Sequence, residues 1–118
     1  PVKESRDDKN RSEAMTLQLL REHQDIIGIY NVGGGTMGIV NALAATARPP
    51  GLVFIAHEVT EGSRRALIQG TIDVIINQDA GHEVRSAVRV LMSKVDNAPL
   101  IEAQERIRID IFMRDNLP

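Results

Sequence analysis

Three short apolar runs set the terms for this chain: Ile26-Ile27-Gly28-Ile29-Tyr30, Leu52-Val53-Phe54-Ile55-Ala56, and Ile72 to Ile76. The first two are rich in β-branched or aromatic residues and show no polar alternation, the pattern of a strand buried on both faces, and the third reads as a further strand. Between them lie segments of helical length. Met37, Val40, Ala44 and Ala47 recur at helical spacing from Thr36 to Ala47, and Pro49-Pro50-Gly51 ends that helix. Thr60 to Gln69 forms a shorter helix closed by Gly70. Strands separated by helices join through right-handed crossovers, and crossovers of one hand build a parallel sheet.

The flanks extend the same alternation. The polar stretch from Glu4 to Glu13 reads as the exposed entry to a helix, capped by Asp8 or Asn10 and carrying Ala14, Met15, Leu17, Leu19 and Leu20 as its apolar surface. After Asp79 as N-cap, Val84, Ala87, Val88 and Leu91 fall at i, i+3, i+4 and i+7, the stripe of an amphipathic helix. Ile107, Ile109 and Ile111 then alternate with Arg108, Asp110 and Phe112, as in a strand at a sheet edge. The expected fold is an α/β, three-layer, open and mainly parallel sheet, with Val2 and its neighbours as the stub of one more strand.

Composition removes several classes of function. At 118 residues the chain makes one domain. Its net charge of −2 does not supply the basic footprint of a nucleic-acid surface. Without cysteine there is no disulfide framework, thiolate zinc site or thiol nucleophile. No apolar run approaches the length that crosses a bilayer. A sequence opening at Pro1 within a polar stretch, without an initiator or signal segment, is expected to be a single subdomain of a longer protein.

In an open parallel sheet, ligands bind beyond the carboxyl ends of the strands, where loops splay and helix N-termini point inward. Asn31 and Gly33-Gly34-Gly35 follow the first strand, His57 and Glu58 the second, and Asn77, Gln78 and Asp79 the third. Amides that both donate and accept, with a carboxylate able to accept from adjacent hydroxyls, suit a neutral polyhydroxylated ligand. Gly33, Gly35 and Gly38 also satisfy G-x-G-x-x-G between strand and helix, with Glu58 twenty residues past Gly38. That pattern keeps open a dinucleotide reading in which the loop amides hold a pyrophosphate and Glu58 the ribose. No metal-ligand spacing accompanies His57-Glu58 or His82-Glu83, and Ser63 and Ser86 lack a nucleophile-elbow context. Neither a catalytic residue nor a metal or other cofactor is expected.

Several segments resemble the C-terminal effector-binding subdomain of LacI-type transcriptional regulators, which share their fold with periplasmic sugar-binding proteins. Leu19 to Tyr30 is similar to L-L-x-x-x-P-D-I-x-A-I-F, with Gln24 at the proline position, and Gly38 to Leu43 to G-A-L-x-A-L. Val53 to Glu58 stands at V-x-V-x-G-[FY]-D, Ile75 to Asp79 resembles T-x-x-Q-[DN], and Met113 to Leu117 resembles the endings of the regulators. The resemblance puts Glu58 at the sugar-binding aspartate, His57 at the preceding aromatic and Gln78 at the polar residue of the third strand end. The family's Asn-Asp after the first strand is not reproduced, and Asn31, Gly33 and Gly34 occupy that loop. The resemblance implies a cytoplasmic sugar effector domain within a homodimer, reaching DNA through a headpiece outside this chain. A periplasmic sugar-binding protein of a transporter is the alternative with the same cleft.

Overall fold

The computed structural model describes residues 1–118. Helix α1 (Lys9–Glu22) begins where the Asp8 carboxylate accepts the Arg11 N–H. Asp8 and not Asn10 is therefore the cap, because a cap must stand outside the helix and Asn10 is already in its first turn. β1 (Gly28–Tyr30) leads to α2 (Thr36–Ala45), β2 (Val53–His57) to α3 (Glu61–Ile68), and β3 (Val74–Gln78) to α4 (Ala80–Asp96). A single turn, α5 (Glu102–Glu105), precedes β4 (Ile109–Phe112), and Arg114–Asn116 closes the chain as a 3-10 turn. The sheet order is β1-β2-β3-β4. β1 pairs parallel with β2, Tyr30 opposite Ile55, and β2 pairs parallel with β3, His57 opposite Ile76. The expected α/β fold with a mainly parallel sheet is the one observed.

The chain divides into two units, one of residues 1–76 and 111–118, the other of residues 77–110. The first holds the core: Ile39, Leu43, Leu52, Phe54, Ala56, Ala66, Leu67, Ile72 and Ile75 are buried, with Leu20, Ile29, Phe112 and Leu117 packed against them. Burying side chains of this size contributes about 1.5–3 kcal/mol each, set against the entropy of ordering them. At the amino ends of β2 and β3, Arg48 acts as a clamp. Its guanidinium donates to the Gly70, Thr71 and Leu52 carbonyls and to Asp73, whose carboxylate also accepts the Phe54 N–H at 2.7 Å.

In the second unit the Asp79 carboxylate caps α4 by accepting the His82 N–H at 2.8 Å, as its position predicts. Glu105 fastens α5 to α4 by accepting from Arg89 Nε (2.7 Å) and Nη2 (2.9 Å) and from the buried Ser86 hydroxyl.

One burial expectation is corrected. The Ile26 to Tyr30 run is not covered on both faces: Ile27 is 80% exposed and Tyr30 58%. β1 is an edge strand, so one side of it has no neighbour in this chain. α4 forms over the Val84 to Leu91 stripe with the helical spacing expected of it.

Candidate functional site

The carboxyl ends of β1 and β2 lie side by side because the strands pair in parallel and in register. That brings Tyr30 and His57 together. Tyr30 Oη and His57 Nε2 are 2.8 Å apart, and the rings are tilted at 46° with centroids 5.5 Å apart. Both are the last residues of their strands, so the pair sits where the sheet opens into loops. A partly exposed aromatic pair with polar tips offers an apolar face and hydrogen-bonding edges to one ligand.

Beyond Tyr30 the chain folds on itself through Asn31, whose side-chain N–H groups donate to the Gly33 carbonyl (2.8 Å), the Gly34 carbonyl (3.2 Å) and Thr36 Oγ1 (2.9 Å). The amide nitrogen of Asn31 therefore shapes the loop, and its carbonyl oxygen is the atom left to meet a ligand. From outside the loop, Asp7 Oδ1 accepts the Gly34 N–H at 2.7 Å.

The glycines answer to packing. Gly35 has φ +77°, and a Cβ on it would lie 2.1 Å from Ser12 Oγ. On Gly38 a Cβ would lie 2.0 Å from the Lys9 carbonyl oxygen, so α2 rests directly on the α1 backbone. The G-x-G-x-x-G spacing thus coincides with a close helix contact, and Gly34, a proposed phosphate donor, already has a carboxylate on it.

Glu58 follows β2 in the left-handed region, φ 65°. For a side chain longer than glycine this costs about 1 kcal/mol or more, and the surroundings hold it in place. Its N–H donates to the Ile76 carbonyl at 3.1 Å, and its carbonyl accepts from Ser63 Oγ at 2.8 Å. Ser63, almost fully buried, also accepts the Thr60 N–H and thereby completes the capping box of α3. Ser63 is thus a positioning residue for Glu58. The turn is fixed through the Glu58 backbone, and its exposed carboxylate takes no part in fixing it.

Gln78, the third strand-end residue of the sequence reading, ends β3 as an exposed residue and belongs to the second unit. Asn31, Gly33, Gly34, His57 and Glu58 all fall in the first unit, where Tyr30 and Asp7 join them. Sequence reasoning passed over both. Tyr30 read as the end of a buried strand, and Asp7 was one acid among several in a polar entry.

A cavity of about 690 Å³ runs along β1. Tyr30, Asn31, Gly33, Asp7 and Ser12 border it, and His57 and Glu58 lie outside its lining. It is therefore a neighbour of the Tyr30–His57 pair and not the whole site.

A family model described as periplasmic binding protein domain matches residues 1–99. The chain belongs to that family. No curated protein matches it. Among solved structures it is similar to GanP, a glucose-galactose binding protein from Geobacillus stearothermophilus, with TM-score 0.86, 17% identity, and coverage of 98% of this chain and 41% of that one. It is similar also to an ABC transporter solute-binding protein from Agrobacterium vitis with bound D-fucose (TM-score 0.84, 15% identity, 98% and 40% covered). AraP, an arabinose-binding protein from Geobacillus stearothermophilus, gives TM-score 0.76 at 18% identity, with 98% and 42% covered. At such identities the likeness is one of fold. The chain spans about two fifths of the length of these structures.

Proposed function

We propose that this chain is one lobe of a two-lobed binding protein, and that the loops after β1 and β2 hold a neutral sugar without chemically altering it. The observation that carries the reading is the Tyr30–His57 pair at the strand ends, with Glu58 next in the chain, exposed on a turn whose backbone Ser63 fixes. An aromatic surface with polar edges and a carboxylate that accepts from neighbouring hydroxyls is the recognition chemistry of a polyol. The carbohydrate names of the solved structures similar in fold support the same ligand class. His57, Glu58, the side-chain oxygen of Asn31 and the Gly33-Gly34 loop are the proposed contacts.

The remaining lobe, on this reading, lies in sequence outside these residues.

For the complete protein we favour the sugar-responsive domain of a cytoplasmic, dimeric LacI-type regulator. Effector closure would change the spacing of DNA-binding headpieces outside this chain. The ending Arg114-Asp115-Asn116-Leu117 supports it by resemblance. An exported sugar receptor of a transporter is the second reading, and the similar structures favour it, since they include a transporter's solute-binding protein.

The test uses the gene product that carries this sequence, titrated calorimetrically with D-fucose, arabinose, galactose and glucose, alongside Glu58→Ala. Saturable binding of at least one neutral sugar, weakened about tenfold or more by the substitution, is expected; loss of a hydrogen bond to a buried hydroxyl corresponds to about 1–3 kcal/mol. Equal affinity in both proteins overturns the site. A sugar-sensitive shift of DNA from upstream of its own gene selects the regulator, and processing of an export leader selects the receptor.

A further inference from the structure

A carboxylate occupies the Gly34 amide of the β1 loop. Asp7 Oδ1 accepts the Gly34 N–H at 2.7 Å, from a turn in which both Arg6 (φ 54°) and Asp7 (φ 57°) are left-handed. Two successive non-glycine residues in that region are unfavourable, and this turn delivers the carboxylate to the loop. The glycines are fitted around it: a Cβ on Gly33 would lie 2.5 Å from Asp7 Oδ1, and one on Gly34 2.8 Å from Asp7 Cβ. Behind the loop, α2 starts at Gly35 with no side-chain cap and no acid in its first turn. Glycine amides leading into an uncapped helix make a setting for phosphate. Here a fixed negative charge already stands in it.

A second observation points to a ligand at the same place. Ser12 is 4% exposed, and its hydroxyl has no hydrogen-bond partner. Ser12 Oγ is the atom nearest to the position a Cβ on Gly35 would take, so the hydroxyl faces the loop from its buried side. Ser12, Asp7, Asn31 and Gly33 border one cavity. An orphaned buried hydroxyl is costly and is relieved when a polar group comes within reach. Of the charged residues lining that cavity, Lys3, Glu4, Arg6 and Asp7, only Asp7 is hydrogen-bonded to the loop.

We propose that Asp7 is a specificity determinant of the ligand site: its carboxylate holds the anion position of the β1 loop, so that the loop accepts a hydroxylated neutral ligand and rejects a phosphorylated one. Ser12 Oγ provides a hydrogen bond to the hydroxyl that enters. This inference rests on the sugar reading above and adds the exclusion of sugar phosphates.

The 118-residue chain, its Asp7→Asn variant and its Asp7→Ala variant are titrated with inorganic phosphate while backbone amide NMR signals are followed. Asp7→Asn keeps an acceptor for the Gly34 N–H and removes the charge, which covers the case in which Asp7→Ala fails to fold. Wild type is expected to show no saturable shifts from Gly33 to Met37, and the neutral variants to show them with at least tenfold tighter phosphate binding. Phosphate binding at the loop of wild type as tight as in the variants overturns the proposal, as does its absence in both folded variants. Neutral sugar titrations of the same samples judge the sugar reading separately, because they do not depend on the phosphate result.

Discussion

Tyr30 Oη and His57 Nε2 meet at 2.8 Å across the ends of two parallel strands that are contiguous in the sheet but 27 residues apart in sequence. The contact exists because the Tyr30–Ile55 register leaves each side chain at the last position of its strand. Both side chains are at least partly exposed, so their mutual bond contributes little to folding. Tyr30→Phe should change stability by less than about 0.5 kcal/mol. Sugar affinity should fall several-fold in the same variant, because His57 loses the partner that orients its ring. Denaturant melts and calorimetric titration of one preparation check both halves, and a large stability loss with unchanged affinity would make the pair structural.

The contact of α2 with α1 is set by Gly38, where a Cβ would lie 2.0 Å from the Lys9 carbonyl oxygen. Gly51 has a left-handed φ of +74° with open space around it. Gly51→Ala should therefore cost about 1–2 kcal/mol from backbone conformation alone. Gly38→Ala forces the helices apart and should cost about 3 kcal/mol or more. Thermal unfolding of the two variants gives the order, and equal losses would contradict the close contact.

Arg48 joins the amino ends of β2 and β3 through three carbonyls and Asp73. Arg48→Ala leaves those carbonyls short of a donor in a partly buried place and should destabilise by about 1–3 kcal/mol. Arg48→Lys should recover only part of this, since an ammonium cannot fork across several acceptors as the planar guanidinium does. Urea unfolding of both variants tests the difference.

Hydrogen bonds from Arg89 first, and then from Ser86, hold the Glu105 carboxyl below the usual carboxylate range. Hydrogen bonding to Glu105 in turn raises the Arg89 guanidinium further. A carboxylate whose pKa is depressed by folding contributes stability that is present above its unfolded value, near 4.3, and lost as pH falls through the folded value. Amide exchange in α4 and α5 should accelerate over that acid range in wild type. In Glu105→Gln the acceleration should be flatter, and identical pH profiles would contradict the coupling.

The order of elements was legible because three apolar runs, each ended by glycine, proline or a cap, allow few other chain paths. Ile26 to Tyr30 shows the limit of that reading. Its composition is that of a central strand, yet β1 lies at an edge, because the number of strands pairing with it is not encoded in its own residues. At the site, His57 and Glu58 were found by the rule that ligands gather at strand ends. Asp7 was not, because its role depends on a left-handed turn at Arg6-Asp7 that neither residue type signals.

The claim that the β1 and β2 loops hold a neutral sugar is tested most directly by mapping where a sugar touches the chain. Amide NMR spectra recorded while D-fucose, arabinose or galactose is raised to saturation should show concerted shifts at Tyr30, Asn31, Gly33, Gly34, His57 and Glu58, which in Glu58→Ala require about tenfold or more sugar. Shifts confined to other parts of the chain, or none with any of the three sugars, would contradict it.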